Sequence, residues 1–259
     1  HIMKIIMIGA GNLATSLAVA LTDAGHDILQ VYSRTMQSAQ TLATIAGGAA
    51  VTDISQVRAD ADVYILSVKD DALPVLIPQL CRGREDKLFL HTAGSVSIDV
   101  FQGMARHYGV FYPMQTFSRQ KRVSFEEIPC FIEGSGEEEE AAIEALAAQL
   151  SHRVYRLSSE ARKYLHLSAV FACNFVNHCY AISAELLEKH GIPFDVMLPL
   201  IDETAAKVHQ MAPKDAQTGP AVRYDENVIR AQSQLLKNNP LVKDIYDRMS
   251  MNIHRMFQV

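Results

Sequence analysis

Short apolar runs alternate with longer helical stretches over the first 157 residues of the chain. One run, Ile5-Ile6-Met7-Ile8, stops at Gly9, and a second covers Asp62 to Val68. Continuous apolar runs of this length are typical of strands that are buried on both faces of a parallel sheet. The helical stretches between the runs predict an α/β fold built on a doubly wound parallel sheet.

Eight strands and three helices are predicted in this first part. The predicted strands cover residues 5–8, 27–32, 51–52, 62–68, 87–90, 109–112, 129–133 and 153–157. The predicted helices cover residues 13–24, 38–46 and 137–150. Gly25 and the pair Gly47-Gly48 follow the first two helices, where glycine commonly ends a helix.

No strand pattern follows residue 158, and the rest of the chain is predicted to be helical. The expected helices cover residues 159–190, 193–210, 225–237 and 240–257. We therefore predict a first domain over residues 3–157 and an all-helical second domain over residues 158–259.

The longest predicted helix carries many apolar positions that a small domain cannot fully cover. This pattern favours a homodimer formed through the C-terminal helices, and the alternative is that the first domain covers these positions. The positions are Leu165, Val170, Phe171, Phe175, Val176, Ile182 and Leu186.

The turn after the first strand has the pattern G-x-G-x-x-A, from Gly9 through Ala10, Gly11, Asn12 and Leu13 to Ala14. The first glycine permits the tight turn, and the second lets a pyrophosphate approach the backbone. The following helix offers free N–H groups and a positive dipole end to phosphates. The turn therefore predicts a Rossmann-type, dinucleotide-binding domain, against the alternative of an α/β turn that binds nothing.

The second strand ends in Ser33-Arg34-Thr35, where NAD-binding domains carry an acidic residue for the ribose 2′-hydroxyl. Two hydroxyls and a guanidinium suit a phosphate instead. We therefore predict NADP as the cofactor, and the alternative is that Arg34 is an ordinary surface arginine.

Polar side chains also follow two later strands of the predicted sheet. Ser67 and Val68 end one predicted strand and Lys69 follows it, and His91 begins the segment His-Thr-Ala-Gly after the next strand. Ligands of open α/β sheets bind beyond the carboxyl ends of the strands, so Ser67, Val68 and Lys69 are predicted to pass over the cofactor. Lys69 can also belong to a charged surface loop.

The helical part contains two groups of candidate site residues. His166 and Asn174 lie about 80° apart on a helical wheel, so both can face one cleft, although they can also bond to neighbouring helices. Arg223, near Asp225, can hold an anionic substrate or form a structural ion pair.

Composition and charge exclude several other classes. The net charge of −5 argues against a nucleic-acid partner. No apolar stretch reaches the roughly 18 residues of a membrane span, and no signal peptide is expected. The four cysteines have no metal-binding spacing, so we expect reduced thiols, no metal site and a cytoplasmic protein. His1-Ile2 has the character of a cloning remnant.

Taken together, these motifs resemble a family of Rossmann-like proteins with an uncharacterised helical C-terminal domain, described as NADP oxidoreductases. More distantly, the first domain is similar to pyrroline-5-carboxylate reductase and to deazaflavin-dependent NADP reductases. The matching segments are Gly9 to Leu13, Tyr32 to Thr35, Ser67 to Asp70, His91 to Gly94, Tyr112 to Phe117, His166 to Asn174, and Thr218 to Asp225.

The chain departs from the family at several positions. Ala93 stands where the family has serine, Tyr112 where it has histidine, and Tyr224 where it has glycine. The related β-hydroxyacid dehydrogenases have a catalytic lysine four residues before the helix asparagine, and that position is Val170 here.

The resemblance implies an NADP-binding domain, a helical dimerisation domain and a cleft between them, but it supplies no substrate. Our first hypothesis is an NADPH-dependent reductase that acts on a small polar imine or ketone. His91 or His166 would be the acid, Asn174 would orient the reacting group, and Arg223 would hold a carboxylate. The alternative is a non-catalytic NADP-binding sensor or assembly module.

Overall fold

The structure is a computed structural model that describes residues 1–121 and 123–258. Its contacts divide the chain into two compact units, His1–Asn174 and Phe175–Val259. The first unit is built on a single sheet. Its strands are β1 (Lys4–Ile8), β2 (Asp27–Tyr32), β3 (Ala49–Val51), β4 (Val63–Leu66), β5 (Leu88–His91), β6 (His107–Pro113), β7 (Cys130–Gly134) and β8 (Val154–Arg156).

The strand order is β3-β2-β1-β4-β5-β6-β7-β8. Six of the seven described strand pairs are parallel, and β6 pairs with β7 antiparallel. The expectation of a parallel sheet is therefore wrong at this one pair. Within the described part of the β6–β7 connection, the helical structure is limited to a 3₁₀ turn at Phe125–Glu127, whereas parallel strands need a longer crossover, usually an α-helix.

Helices cover both faces of the sheet and so create two hydrophobic cores. Ile5 and Met7 of β1 belong to one core, whereas Ile6 and Ile8 belong to the other. This alternation follows from the period of two in a strand. The helices of the first unit are α1 (Asn12–Asp23), α2 (Met36–Ala46), α3 (Leu73–Cys81), α4 (Glu137–Ala148) and α5 (Ser159–Ala169).

The first helix confirms the expected glycine terminus, because Gly25 follows the C-cap with φ +94°. The sequence did not predict α3. The predicted domain boundary at residue 157 lies just before α5, which the contacts group with the first unit.

The central pair of the sheet is β1 and β4, with Ile8 opposite Leu66 at their carboxyl ends. The chain runs outward from β1 to β2 and β3 on one side, and from β4 to the remaining strands on the other. Such a reversal of strand order opens a crevice at the carboxyl ends of the two strands, where ligands of α/β sheets bind.

The predicted helix over residues 159–190 is observed as α5, a π-helical segment (Val170–Phe175) and α6 (Val176–Glu188). The predicted helix over residues 193–210 begins with a 3₁₀ turn at Phe194–Met197. The remaining helices are α7 (Leu198–Lys207), α8 (Pro213–Ala216), α9 (Pro220–Arg223), α10 (Glu226–Leu235) and α11 (Pro240–Met256).

The second unit has almost no core of its own. Ala221 is the one buried apolar side chain among its described residues. Large apolar side chains are exposed along α6, α7, α10 and α11, including Leu200, Leu235 and Leu241. In the parts of the chain that the structure describes, no helix has the length and apolar composition needed to cross a membrane.

Candidate functional site

Gly9 brings the ends of three strands together. Its N–H donates to the carbonyl oxygen of Tyr32 at 2.8 Å, and its φ is +114°. A Cβ at this position would lie 2.1 Å from the carbonyl oxygen of Ser67. Only glycine can adopt this conformation at such a short distance from β4, so Gly9 shapes the turn.

Gly11 has a different surrounding, since a Cβ built on it would meet no atom within 4 Å. It is the N-cap of α1 and has no side chain to satisfy the first N–H groups, and the first turn contains no acidic residue. The N–H of Thr15 makes a backbone bond to the Gly11 carbonyl oxygen. The N–H groups of Asn12 and Leu13 precede it in the first turn, where no intrahelical acceptor exists. An open, uncapped helix terminus next to Ala10 fits a dinucleotide pyrophosphate.

The three residues after β2 have distinct environments. The N–H of Ser33 donates to the carbonyl oxygen of Val51 at 3.2 Å. The hydroxyl of Thr35 caps α2 by accepting from the N–H of Ser38 at 3.3 Å. Arg34 is exposed and forms no ion pair with any described residue. Its guanidinium is therefore available to an anion.

The loop after β4 lies beside the turn of β1. The N–H of Ser67 donates to the Ile8 carbonyl oxygen at 2.8 Å, Val68 packs partly into the core, and Lys69 is exposed. Ser95 donates to the Asp70 carboxylate at 2.7 Å, which links the loops after β4 and β5.

A cavity of about 660 Å³ in the first unit adjoins the start of α1. Asn12 and Leu13 line it on that side, and His166, Cys173 and Asn174 line it from the helical segment. Residues 112–117, from the end of β6 and the loop that follows it, form another wall. The cavity therefore brings predicted cofactor-binding residues together with two of the predicted catalytic residues.

The π-helical segment Val170–Phe175 begins four residues after His166 and includes Asn174. In a regular helix these residues would be about 80° apart around the axis. A π turn holds more residues than an α turn, so it rotates the following side chains, and such turns are frequent at functional sites. Both side chains line the same cavity.

His166 meets Tyr112, a residue that the sequence analysis did not place in the site. The Tyr112 hydroxyl oxygen and His166 Nδ1 are 3.3 Å apart, and the rings meet edge to face at 6.0 Å. Burial raises the pKa of the Tyr112 phenol above its usual range. Tyr112 therefore stays protonated at neutral pH. Two sequence signals pointed to it: its position at the end of a strand, before Pro113, and its place where the resembling family has a histidine.

Gly94 leaves room for this pair. A Cβ on Gly94 would lie 2.6 Å from His166 Nδ1 and 2.9 Å from Cζ of Tyr112. The glycine of the segment His-Thr-Ala-Gly therefore lies directly against the two rings, and a larger residue would displace them.

His91 is placed differently from His166, because its side chain is fully buried and is not among the residues that line this cavity. Its Nδ1 accepts from the N–H of Ala93 at 3.0 Å, and its Nε2 is 3.4 Å from the carbonyl oxygen of Ser97. Burial, aided by the nearby Arg162 charge, lowers the pKa of His91 to about 4. A neutral imidazole with both nitrogens engaged by one loop holds that loop in place.

Arg162 is a second residue that sequence analysis missed. Its side chain is 1% exposed and donates to Glu133 Oε2 at 2.7 Å and to the carbonyl oxygen of Val96. Ser159 also donates to Glu133 Oε2, at 2.6 Å. These bonds attach α5 to β7 and to the loop after β5, one helical turn before His166.

Arg223 lies in the second unit and pairs with Asp225 at 3.0 Å. The pair is exposed, with 74% of the Arg223 side chain accessible. Tyr224, between them, has φ +53°, and its ring stacks on His254 with centroids 4.4 Å apart. The glycine that the resembling family has at this position suits such a backbone.

Two family models match the chain. One is described as NADP oxidoreductase, coenzyme F420-dependent, and matches residues 4–94. The other is a domain of unknown function, DUF2520, and matches residues 128–253. A comparison with curated proteins found no match.

Several solved structures are similar along nearly the whole chain. A protein from Bacteroides fragilis, described as a "putative NADP oxidoreductase", is 54% identical, with 98% of each chain covered and a TM-score of 0.93. A Thermotoga maritima protein is 21% identical, with 98% of this chain and 100% of that chain covered and a TM-score of 0.79. An imine reductase from Myxococcus stipitatus in complex with NADP+ is 16% identical, with 97% and 93% covered and a TM-score of 0.70. The Thermotoga maritima and Myxococcus stipitatus structures, at these low identities, show similarity of fold alone.

Proposed function

Because the chain belongs to the family of NADP oxidoreductases with a DUF2520 C-terminal domain, we propose that it transfers a hydride between NADP(H) and a small polar imine or ketone. One observation carries the proposal: a single cavity is lined by Asn12 and Leu13 of the dinucleotide turn and by His166, Tyr112 and Asn174. A cofactor held at the turn and a proton donor on the helix would then border the same space.

The residues that would hold NADP lie at three strand ends. Gly9 shapes the turn, Ala10, Gly11, Asn12 and Leu13 present the open N-terminus of α1, and Ser33, Arg34 and Thr35 suit the 2′-phosphate. Ser67, Val68 and Lys69 form the third strand end. When bound, the nicotinamide supplies the hydride, and the protein supplies orientation and a proton.

We assign the proton to His166. An imidazole exchanges protons near neutral pH, and this one borders the cavity. The acid form of His166 is the imidazolium, which donates Nδ1–H to the Tyr112 hydroxyl oxygen and presents Nε2–H to the substrate. During reduction the substrate carbon gains the hydride, the imine nitrogen or carbonyl oxygen gains the Nε2 proton, and the neutral imidazole that remains regains a proton from solvent.

Three further residues complete the proposed roles. The Asn174 amide lines the same cavity and would orient the reacting polar group. His91, whose nitrogens bond to the loop after β5, would support the site rather than donate the proton. Arg223 stays a predicted anchor for a substrate carboxylate, and its exposed pair with Asp225 is weak enough to exchange partners.

A reductase screen tests the proposal directly. Purified protein is incubated with NADPH and a panel of cyclic imines, ketones and aldehydes, and loss of the nicotinamide absorbance is followed. We expect turnover that falls at least about 100-fold in His166→Asn, the order of a lost general acid. His152→Asn is the matched control, because His152 is exposed elsewhere in the first unit.

The screen also separates the proposal from its rival, a non-catalytic NADP-binding sensor or assembly module. Val170, at the position of the lysine in a related superfamily, favours that rival. Tight NADPH binding without turnover on any substrate would support the sensor. Turnover unchanged in His166→Asn would remove this residue from the chemistry.

We also propose a homodimer formed through the helices of the second unit. These 85 residues place one apolar side chain, Ala221, out of solvent among those described, and a helical domain needs a buried apolar stripe for stability. A second copy would cover exposed positions such as Leu200, Leu241 and Met249. Sedimentation at micromolar concentration should give a mass near twice 28.7 kDa, whereas a stable monomer would contradict the proposal.

A further inference from the structure

A second groove of the first unit, of about 470 Å³, runs between α1 and α2. It begins at Ala10, inside the dinucleotide turn, and its walls carry hydroxyls and amides from both helices. Three of these come from α1 and three from α2: Asn12, Thr15, Ser16, Gln37, Ser38 and Thr41.

Arg119, from the loop after β6, lies at this groove together with Ser118. This loop is tied to the dinucleotide turn, because the Asn12 side-chain amide donates to the carbonyl oxygen of Phe117 at 3.4 Å. Arg119 is exposed and forms no ion pair with any residue within 1–121 or 123–258. Its five N–H donors are therefore open to a ligand.

The charge among the described groove residues is only positive. Arg119 is the one charged residue among the described groove residues, and none of them is a carboxylate. The whole chain, by contrast, carries a net charge of −5. A guanidinium beside hydroxyl groups, without a competing carboxylate, suits a phosphate monoester.

The groove also approaches the residues expected to recognise the 2′-phosphate. Gln37 and Ser38 line it at the first turn of α2, and Thr35, the N-cap of that helix, directly follows Arg34. A phosphate monoester carries between about one and a half and two negative charges at neutral pH, more than one guanidinium neutralises.

We infer that Arg119 contacts the 2′-phosphate of NADP from the side of α1, and that it determines cofactor preference together with Arg34. This inference rests on the proposed NADP-dependent function. It adds a residue 85 positions further along the chain than Arg34, on a loop outside the G-x-G-x-x-A turn of this chain.

Binding measurements without turnover test the inference. NADPH and NADH are titrated against wild type, Arg119→Gln, Arg119→Lys and Arg34→Gln by nicotinamide fluorescence. Adenosine 2′,5′-bisphosphate and AMP are titrated by calorimetry as probes that lack the nicotinamide. Arg82→Gln is the matched control, since Arg82 is exposed, forms no ion pair within the described chain and loses the same charge.

Arg119→Gln should weaken the binding of NADPH and of adenosine 2′,5′-bisphosphate about tenfold, while the affinities for NADH and AMP change less than twofold. Arg82→Gln should leave all four affinities unchanged. Arg119→Lys should recover part of the loss, because the charge remains without the planar fork. Equal weakening of NADPH and NADH, or no weakening, would overturn the role of Arg119 and leave the NADP-dependent function standing. A wild type that binds NADPH no better than NADH would overturn both.

Discussion

Gly94 and His166 are in such close contact that a Cβ on the glycine would lie 2.6 Å from Nδ1 of the imidazole. The two residues come from different elements, the loop after β5 and helix α5. Their contact places the His166 ring beside Tyr112 at the cavity wall. Replacing the glycine therefore changes the position of the proposed proton donor without removing it.

Gly94→Ala should lower kcat at least about tenfold, because small misplacements of a catalytic group are costly. The φ of Gly94 is not positive, so the backbone tolerates alanine. NADPH affinity should stay within twofold of wild type, and the imidazole NMR signals of His166 should shift. Gly136→Ala is a control for glycine substitution alone, because its φ of −157° is extended backbone and its Cβ would meet only the carboxyl end of the Glu139 side chain. Unchanged turnover in Gly94→Ala would show that the ring position is not critical.

Alanine should lower the stability of the protein much more at Gly9 than at Gly11, the two glycines of the dinucleotide turn. Gly9→Ala places a Cβ against the Ser67 carbonyl oxygen and forces a positive φ, so the protein should lose stability and much of its soluble yield. Gly11→Ala meets open space, and its loss of stability should stay near 1 kcal/mol, the cost of a poorer N-cap.

NADPH binding is the second measurement for Gly11→Ala. The added methyl group would occupy the space proposed for the pyrophosphate, so affinity should fall at least about tenfold while the urea midpoint changes little. Full affinity in a well-folded Gly11→Ala protein would argue that the phosphates bind elsewhere.

Removing the buried cation Arg162 should be among the most destabilising single changes in the first unit. Arg162→Met removes the cation paired with the Glu133 carboxylate and leaves only the Ser159 hydroxyl, among the described residues, bonded to it, and breaking a buried ion pair costs about 3–5 kcal/mol. Urea unfolding measures this loss. Arg106→Met, which removes an exposed pair with Asp86, is the matched control and should cost far less.

The double variant Arg162→Met/Glu133→Gln tests the reason for that loss. If the uncompensated carboxylate causes it, the double variant should be more stable than Arg162→Met alone. Equal stability of the two would assign the loss to packing instead.

His91 should make stability depend on pH. Its pKa is lowered to about 4 in the folded protein, mainly by burial, with Arg162 lowering it further and Asp70 opposing. The unfolded chain, with a pKa of about 6.5, binds more protons between these values. Stability from the neutral imidazole is thus present above pH 6.5 and is lost as pH falls toward 4, by about 3 kcal/mol in all.

The unfolding free energy of wild type and His91→Gln should therefore be measured at pH 7.5 and at pH 5. The decrease on acidification should be smaller in His91→Gln than in wild type. His152→Gln, an exposed-histidine control, should retain the wild-type decrease. An equal decrease of the unfolding free energy in His91→Gln and wild type would show that His91 does not cause the pH dependence.

The sequence by itself determined the first strand, the glycine turn and the helix that follows, as well as the change to an all-helical second part. These signals are local: an apolar run, glycines at fixed offsets and a helical period each constrain the backbone over a few residues. The antiparallel β6–β7 pair was missed because no local pattern records the direction in which a strand returns to the sheet.

Only the tertiary structure decided which polar side chains share a cavity. Tyr112 and His166 are 54 residues apart, and Arg162 and Glu133 are 29 apart, so their contacts arise from how strands and helices pack. The sequence does not distinguish His91 from His166 as candidate proton donors. In the structure, His91 is buried against the loop after β5, whereas His166 lines the cavity. Burial and partners set the protonation of a histidine, and both depend on distant parts of the chain.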